Sequence, residues 1–139
     1  MAWTLETSNG FESDKIAPFV VPYLQGERVL DIGCGMRTVW PSCIGVDNSH
    51  HFGSRTAATV HSPANDLSLF ACDSVDAIFS SHLLEHIPYD DVPALLVEWH
   101  RVLRVGGYMC LYVPSANLYP KCGETGANPD HKWDIYPGD

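Results

Sequence analysis

Positive charge is scarce in this chain. Eight Lys and Arg stand against seventeen Asp and Glu, a formal net charge of −9 at pH 7, and the few cations form no stripe that would grip a phosphate backbone. Nucleic acid is therefore not an expected partner, and the acidity itself reads as a solubility feature. Also missing is any apolar run near the roughly 20 residues of a membrane span. The opening MAWTLETSNGFESDK has no basic start leading into an apolar stretch, the mark of a secretory signal. A soluble, cytoplasmic protein with no membrane partner is expected. The cysteines, Cys34, Cys43, Cys72, Cys110 and Cys122, are odd in number and contain no CxxC pair. That argues against a disulfide framework and against a cysteine zinc site.

What is present suits a globular protein. An apolar fraction of 45% with 18% charged residues over 139 positions is enough for one core and too short for two ordinary domains. A single domain over 1–139 is expected, with its core at 28–114 and an irregular tail at 116–139, rich in Asn, Pro, Gly and Asp, that packs on something through Trp133 and Tyr136. RVLDI (28–32), CIGVD (43–47), SVDAIFSS (74–81) and YMCLYVP (108–114) read as buried strands, and AATVHS (57–62) as a weaker one. Continuous apolar runs, rather than alternation, indicate strands covered on both faces, as in a parallel sheet. A short helix is expected through KIAPFVVPYL, capped by Ser13 or Asp14, with Pro18 in its first turn and Pro22 ending or bending it. The clearest helix covers 91–104, with Asp90 or Asp91 as cap and Val92, Leu95, Leu96, Trp99, Val102 and Leu103 recurring at helical spacing. Strand, helix, strand of this length forms a crossover unit. The fold class is therefore α/β, a doubly wound sheet with a ligand crevice at the carboxyl ends of its strands.

The stretch VLDIGCGMRTVWPSCIGVDNS (29–49) puts its polar residues at that crevice. Gly33 and Gly35 let the backbone turn sharply and approach a ligand closely, and Asp47 sits where a carboxylate accepts hydrogen bonds from both hydroxyls of a ribose. This is a nucleoside site. A nicotinamide dinucleotide would call for G-x-G-x-x-G and a helix N-terminus facing the pyrophosphate. Here Thr38 stands in the place of the third glycine and Pro41 soon follows, so a nicotinamide oxidoreductase is disfavoured.

VLDIGCG (29–35), IGVD (44–47), NDLSLFACDSVDAIFSSHLLEHI (65–87) and EWHRVLRVGGYMCLYVP (98–114), in this order and spacing, resemble the class I S-adenosylmethionine-dependent methyltransferases, in particular their small type 11 branch. The resemblance implies a Rossmann-like, mostly parallel sheet of strand order 3-2-1-4-5, without the last two strands of the family. It implies S-adenosyl-L-methionine as cofactor. Gly33, Cys34 and Gly35 would pass under its methionine part, with Cys34 a space-filler between the glycines and Asp31 positioning the amino group through the turn or water. By the same carry-over Asp47 holds the ribose, Asn48 lies beside the adenine, Asp66 and Leu67 meet the adenine edge, and Ser80, Ser81 and His82 form the floor facing the transferred methyl. The implied activity is methyl transfer to a small-molecule or sugar-containing acceptor.

Two departures from the family bear on that expectation. MRTVWPS leaves little room for the helix that commonly links the first two strands, and the family normally continues past a stretch like NPDHKWDIYP into another helix and two strands. The second departure keeps a rival open: a non-catalytic binding or interaction module on a truncated fold. His82 is the candidate catalytic residue, as general base, against the plainer reading of a polar wall. Glu85 and His86 read as fixing the loop. His82 and His86 would share a helical face, but no third ligand is evident and H-E-x-x-H is absent, so no metal is expected. Finally, the fifth strand forms an apolar edge, expected either to be covered by the tail through Trp133, Ile135 and Tyr136 or to pair with a second copy through 108–113, the dimer being preferred.

Overall fold

The computed structural model describes residues 12–48 and 56–138. Five strands, β1 (Val29–Ile32), β2 (Ile44–Asp47), β3 (Val60–His61), β4 (Val75–Ser81) and β5 (Leu103–Tyr112), join in one sheet of order β3-β2-β1-β4-β5. Every pairing is parallel. This is the doubly wound arrangement expected. β1 and β2 are so short that their alternating side chains reach opposite cores within four residues.

Leu30 and Ile32 of β1 join Val46 and Ile78 in a core closed by Leu95, Trp99 and Val102 of the helix α2 (Val92–Val102). Val29 packs on the other face with Ala77, Phe79 and Ala17 of the helix α1 (Glu12–Val20). Each face of the sheet thus has its own apolar cover, which accounts for the unbroken apolar runs. Trp99 is fully buried and donates its indole N–H to the carbonyl of Ala64 at 2.8 Å. The Arg101 guanidinium grips both carboxylate oxygens of Glu98 and also donates to the carbonyls of Leu67 and Phe70. Helix α2 thereby anchors the loop after β3.

Several boundaries differ from expectation, each for a physical reason. Asp14 is not a cap: it lies inside α1, 1% exposed, paired with Arg37. Pro18 sits well inside α1 rather than in its first turn, whereas Pro22, in the 3-10 turn Val21–Tyr23 that follows, marks the helix end as expected. Asp91 does precede α2, but its side chain makes no capping hydrogen bond; a 3-10 turn over Tyr89–Asp91 feeds the helix instead. α2 stops at Val102, and Leu103 and Arg104 already belong to β5. There the register jumps from Val75 opposite Leu103 to Ala77 opposite Tyr108. Gly106 is left-handed, φ +78°, and a Cβ on Gly107 would meet the Asp76 carbonyl at 2.7 Å, so the two glycines allow the bulge. β3 shrinks to two residues.

The tail does pack, but not along β5. Trp133 donates its indole N–H to the carbonyls of Leu84 and Ile87, both at 3.1 Å, and meets the ring of Tyr89 edge-on at 5.0 Å. The amide of Lys132 donates to the carbonyl of Glu85 at 2.6 Å, and that of Ala116 to Ile135 at 2.8 Å. Residues 131–135 therefore lie against the loop that follows β4. Among the described residues β5 pairs with β4 alone.

Candidate functional site

The glycine turn after β1 is stitched to the end of β2. The Gly33 amide donates to the Val46 carbonyl at 2.8 Å, and the Gly35 amide to the Asp47 carboxylate at 2.6 Å. Gly33 and Gly35 have φ of +76° and +59°, in the left-handed region that favours glycine. Residues 33–43, all described, hold turns and no helix. No helix N-terminus therefore follows the turn, and a pyrophosphate would lack its usual partner.

Gly33 and Asp47 line a cavity of about 260 Å³ with His82, Leu83, His86, Asn128 and Asp130. A Cβ on Gly33 would come within 3.1 Å of Leu83, so a glycine there keeps open the gap between the turn and the loop after β4. One oxygen of Asp47 holds the Gly35 amide; no hydrogen bond from the described residues reaches the other. A second cavity, of about 580 Å³, is lined by Lys15, His82, Tyr112, Val113, Pro114, Ser115, Leu118 and Tyr119. His82 borders both. Its amide donates to the Tyr112 carbonyl at 2.8 Å, its ring meets Tyr112 edge-on at 5.2 Å, and its φ of +50° is unusual for a side-chain-bearing residue. Such a conformation costs about 1–3 kcal/mol and persists where the surroundings impose it.

The remaining expected residues take different places. Asp31 lies beneath the turn, 2% exposed, accepting the Val39 amide at 2.6 Å. Burial above all pushes its carboxyl up to about 7, the charge of Asp47 pushes the same way, and the Val39 amide opposes. Cys34 is half-buried, and burial with the charges of Asp31 and Asp47 pushes its thiol up to about 12, so it carries no thiolate. Ser80 is buried and donates its hydroxyl to the Ile32 carbonyl at 2.9 Å, tying β4 to β1 from behind. Leu67 is in the core, its amide on Glu98 and its carbonyl on Arg101. Asp66 and Asn48 are exposed, and the Ser68 hydrogen bonds hold the Asp66 carboxyl below its ordinary value. Ser81 ends β4 opposite Tyr112.

Sequence reading missed Asn128, Asp130, Tyr112 and Lys15 as cavity walls. Only the fold brings the tail and α1 to the crevice, and no spacing in the sequence signals it.

Two buried carboxyls, Asp31 and Asp47, beside a helix-free glycine turn suit a nucleoside ligand that is cationic rather than phosphorylated. Residues 30–111 match the family described as a methyltransferase domain, and the chain belongs to that family. No curated protein matches the sequence significantly. Among solved structures it is similar to a SAM-dependent methyltransferase from Archaeoglobus fulgidus (TM-score 0.68, 23% identity, 91% of this chain and 64% of that one). It is also similar to the YcgJ protein of Bacillus subtilis (0.63, 20%, 88% and 63%). A third similar structure is phosphoethanolamine N-methyltransferase 1 of Haemonchus contortus, solved with phosphoethanolamine and S-adenosylhomocysteine (0.54, 21%, 92% and 30%). At these identities the likeness is one of fold. The chain spans less than two thirds of each of these structures.

Proposed function

We propose that the chain binds S-adenosyl-L-methionine and transfers its methyl group to a small-molecule or sugar-containing acceptor. The observation that carries this reading is the Asp47 carboxylate, which braces the Gly35 amide at the rim of a cavity whose glycine turn leads into no helix. When bound, the cofactor supplies an electrophilic methyl on a positively charged sulfur. The chain's own contribution is chiefly alignment of the reacting groups.

Residues 33–35 take the methionine part, the open oxygen of Asp47 takes the ribose, and Asn48 and Asp66 at the rim take the adenine. Leu67 and Ser80 act from behind, holding the loop after β3 and the end of β4, and Ser81 borders the floor. The acceptor occupies the 580 Å³ cavity, whose Tyr112, Tyr119, Ser115 and Lys15 offer ring faces and hydrogen bonds of the kind a sugar uses. His82, at the junction of the two cavities, hydrogen-bonds the accepting group and holds it in line with the methyl. Asp31 answers the cofactor's positive charge, since a nearby cation favours its ionised form.

All five cysteines are free, which supports a reducing, cytoplasmic setting. No helix of the described residues is long and apolar enough to cross a membrane. The outer edge of β5, with Tyr108 55% and Leu111 41% exposed, supports a homodimer formed by edge pairing.

Calorimetric titration of the folded chain with S-adenosylmethionine, S-adenosylhomocysteine and NAD tests the reading. The first two are expected to bind and NAD is not. A folded chain that binds neither sulfur compound overturns it.

A further inference from the structure

The loop after β4 and the tail together bury an acid that the cofactor site does not use. Glu85 is 0% exposed, and among the described residues neither carboxyl oxygen has a hydrogen-bond partner. An isolated carboxylate so far from water is costly unless a cation or a set of donors offsets it. The groups gathered round it are imidazoles. Nδ1 of His82 lies 3.3 Å and Nε2 of His131 3.8 Å from Oε1. The ring of His86 stands edge-on to that of His131 at 4.9 Å. A carboxylate oxygen of Glu85 and one nitrogen each of His86 and His131 lie within 4.8 Å of one another.

We propose that Glu85, His86 and His131 form a divalent-metal site suited to Zn²⁺. The donor set is one carboxylate and two imidazoles, the borderline ligands that zinc takes at about 2.0–2.2 Å in tetrahedral geometry. Ligand atoms in such a site stand about 3.4 Å apart, so closure from the observed spacing needs side-chain rotation of about an ångström. The buried carboxyl of Glu85, without a hydrogen bond from the described residues, is the feature a dication would satisfy. Three protein ligands leave a fourth position, and His86 lies in the wall of the 260 Å³ cavity, where that position is open to water or a ligand oxygen.

The placement has a structural consequence as well. Glu85 and His86 belong to the 3-10 turn Leu84–His86 after β4, whereas His131 belongs to the tail. A bound ion would staple the two segments beside the Lys132 amide and Trp133 indole contacts. The energy of holding the metal would then become energy holding the tail in place.

The test is Zn²⁺ and Co²⁺ titration of the metal-stripped full-length chain, followed by competition with a chromophoric chelator and by visible absorption of the cobalt form. One ion per chain is expected, with the intense visible bands of tetrahedral cobalt and a rise in the unfolding midpoint on adding Zn²⁺. Glu85→Gln and His131→Gln should each weaken binding at least tenfold, while substitution of the exposed His100 of α2, His100→Gln, should leave it unchanged. His131 lies in the irregular tail, so its variant serves if Glu85→Gln does not fold. Near-UV circular dichroism verifies the fold of each variant. Binding that survives both substitutions, octahedral cobalt spectra, or no uptake at micromolar Zn²⁺ would overturn the proposal.

Discussion

The two walls of the 260 Å³ cavity are built in opposite ways. One, residues 29–47, is local: two short strands, a glycine turn and two carboxyls close together in sequence, joined by backbone amides at 2.6–2.8 Å. The other joins residues 82–86 to residues 128–131, segments more than forty positions apart. Besides one backbone bond, the Lys132 amide on the Glu85 carbonyl, it depends on side chains, namely Trp133 on two carbonyls and histidines around Glu85. Both bury carboxyl groups. In the first wall Asp31 and Asp47 are held by amides and suit a cationic ligand; in the second, the Glu85 carboxyl has no hydrogen bond from the described residues and is surrounded by imidazoles. Burial alone does not define a role, because the neighbours decide whether an acid waits for a ligand, a metal or a proton.

The largest expected effect breaks the first wall by pH. Asp31 has a folded-state value of about 7 against an ordinary 3.8, with burial as the leading cause. Because the folded value is the higher, the folded chain keeps a proton that the unfolded chain has released. This contribution is fully present below about pH 4 and lost as pH rises through 7. At 1.36 kcal/mol per unit its ceiling is about 4 kcal/mol. Urea unfolding of the wild type should show stability falling across that window, and Asp31→Asn should remove this component. Added S-adenosylmethionine should stabilise the wild type more at pH 8 than at pH 5. Parallel pH profiles for the two proteins would place Asp31 outside the balance.

Next in size, Asp47→Ala should weaken S-adenosylhomocysteine binding at least tenfold, since a hydrogen bond to a charged group contributes about 1.5–3 kcal/mol. Protease protection of residues 128–135 should stay as in the wild type, because Asp47 touches only the first wall. Unchanged affinity in a folded variant would reduce Asp47 to a turn brace.

The reverse experiment is Trp133→Phe, which removes the indole N–H from the carbonyls of Leu84 and Ile87 at a cost of about 1–3 kcal/mol. Amide exchange in 128–135 should accelerate at least tenfold while cofactor affinity changes less than threefold. Loss of cofactor binding as well would show that the walls are one unit.

Smallest in its effect on the fold, Leu111→Lys on the outer edge should shift stability by no more than about 0.5 kcal/mol. In sedimentation it should convert a dimer to a monomer. A wild-type chain that sediments as a monomer at micromolar concentration removes the edge-paired dimer.

Much of this architecture was legible residue by residue. The runs at 28–32, 43–47 and 74–81 were read as buried strands because they are continuously apolar, and each holds a strand one residue shorter; α2 was read from the stripe Val92, Leu95, Leu96, Trp99, Val102 and Leu103. The reading failed where local and tertiary preferences compete. Arg104 completes a helical pattern, yet it lies in β5 and pairs with Asp76 at 2.9 Å. Asp14 has the chemistry of a cap but is buried against Arg37. Of the residues named for the site, Gly33, Gly35 and Asp47 do come together at the turn, which needs their backbone freedom and carboxylate. Ser80 and Leu67 were named for the same crevice, but their hydrogen bonds place them behind it.

By itself the sequence determined the α/β class, the strand-ending aspartates and the glycine turn. These follow from hydrophobic periodicity and backbone sterics, which act over a few residues. Only the tertiary structure decided that the tail lies on the loop after β4, that His82 borders both cavities, and that Glu85, His86 and His131 converge. Such contacts depend on which surfaces remain to be buried once the sheet has formed, and a tail of turn-forming residues carries no periodic signal of where it will dock.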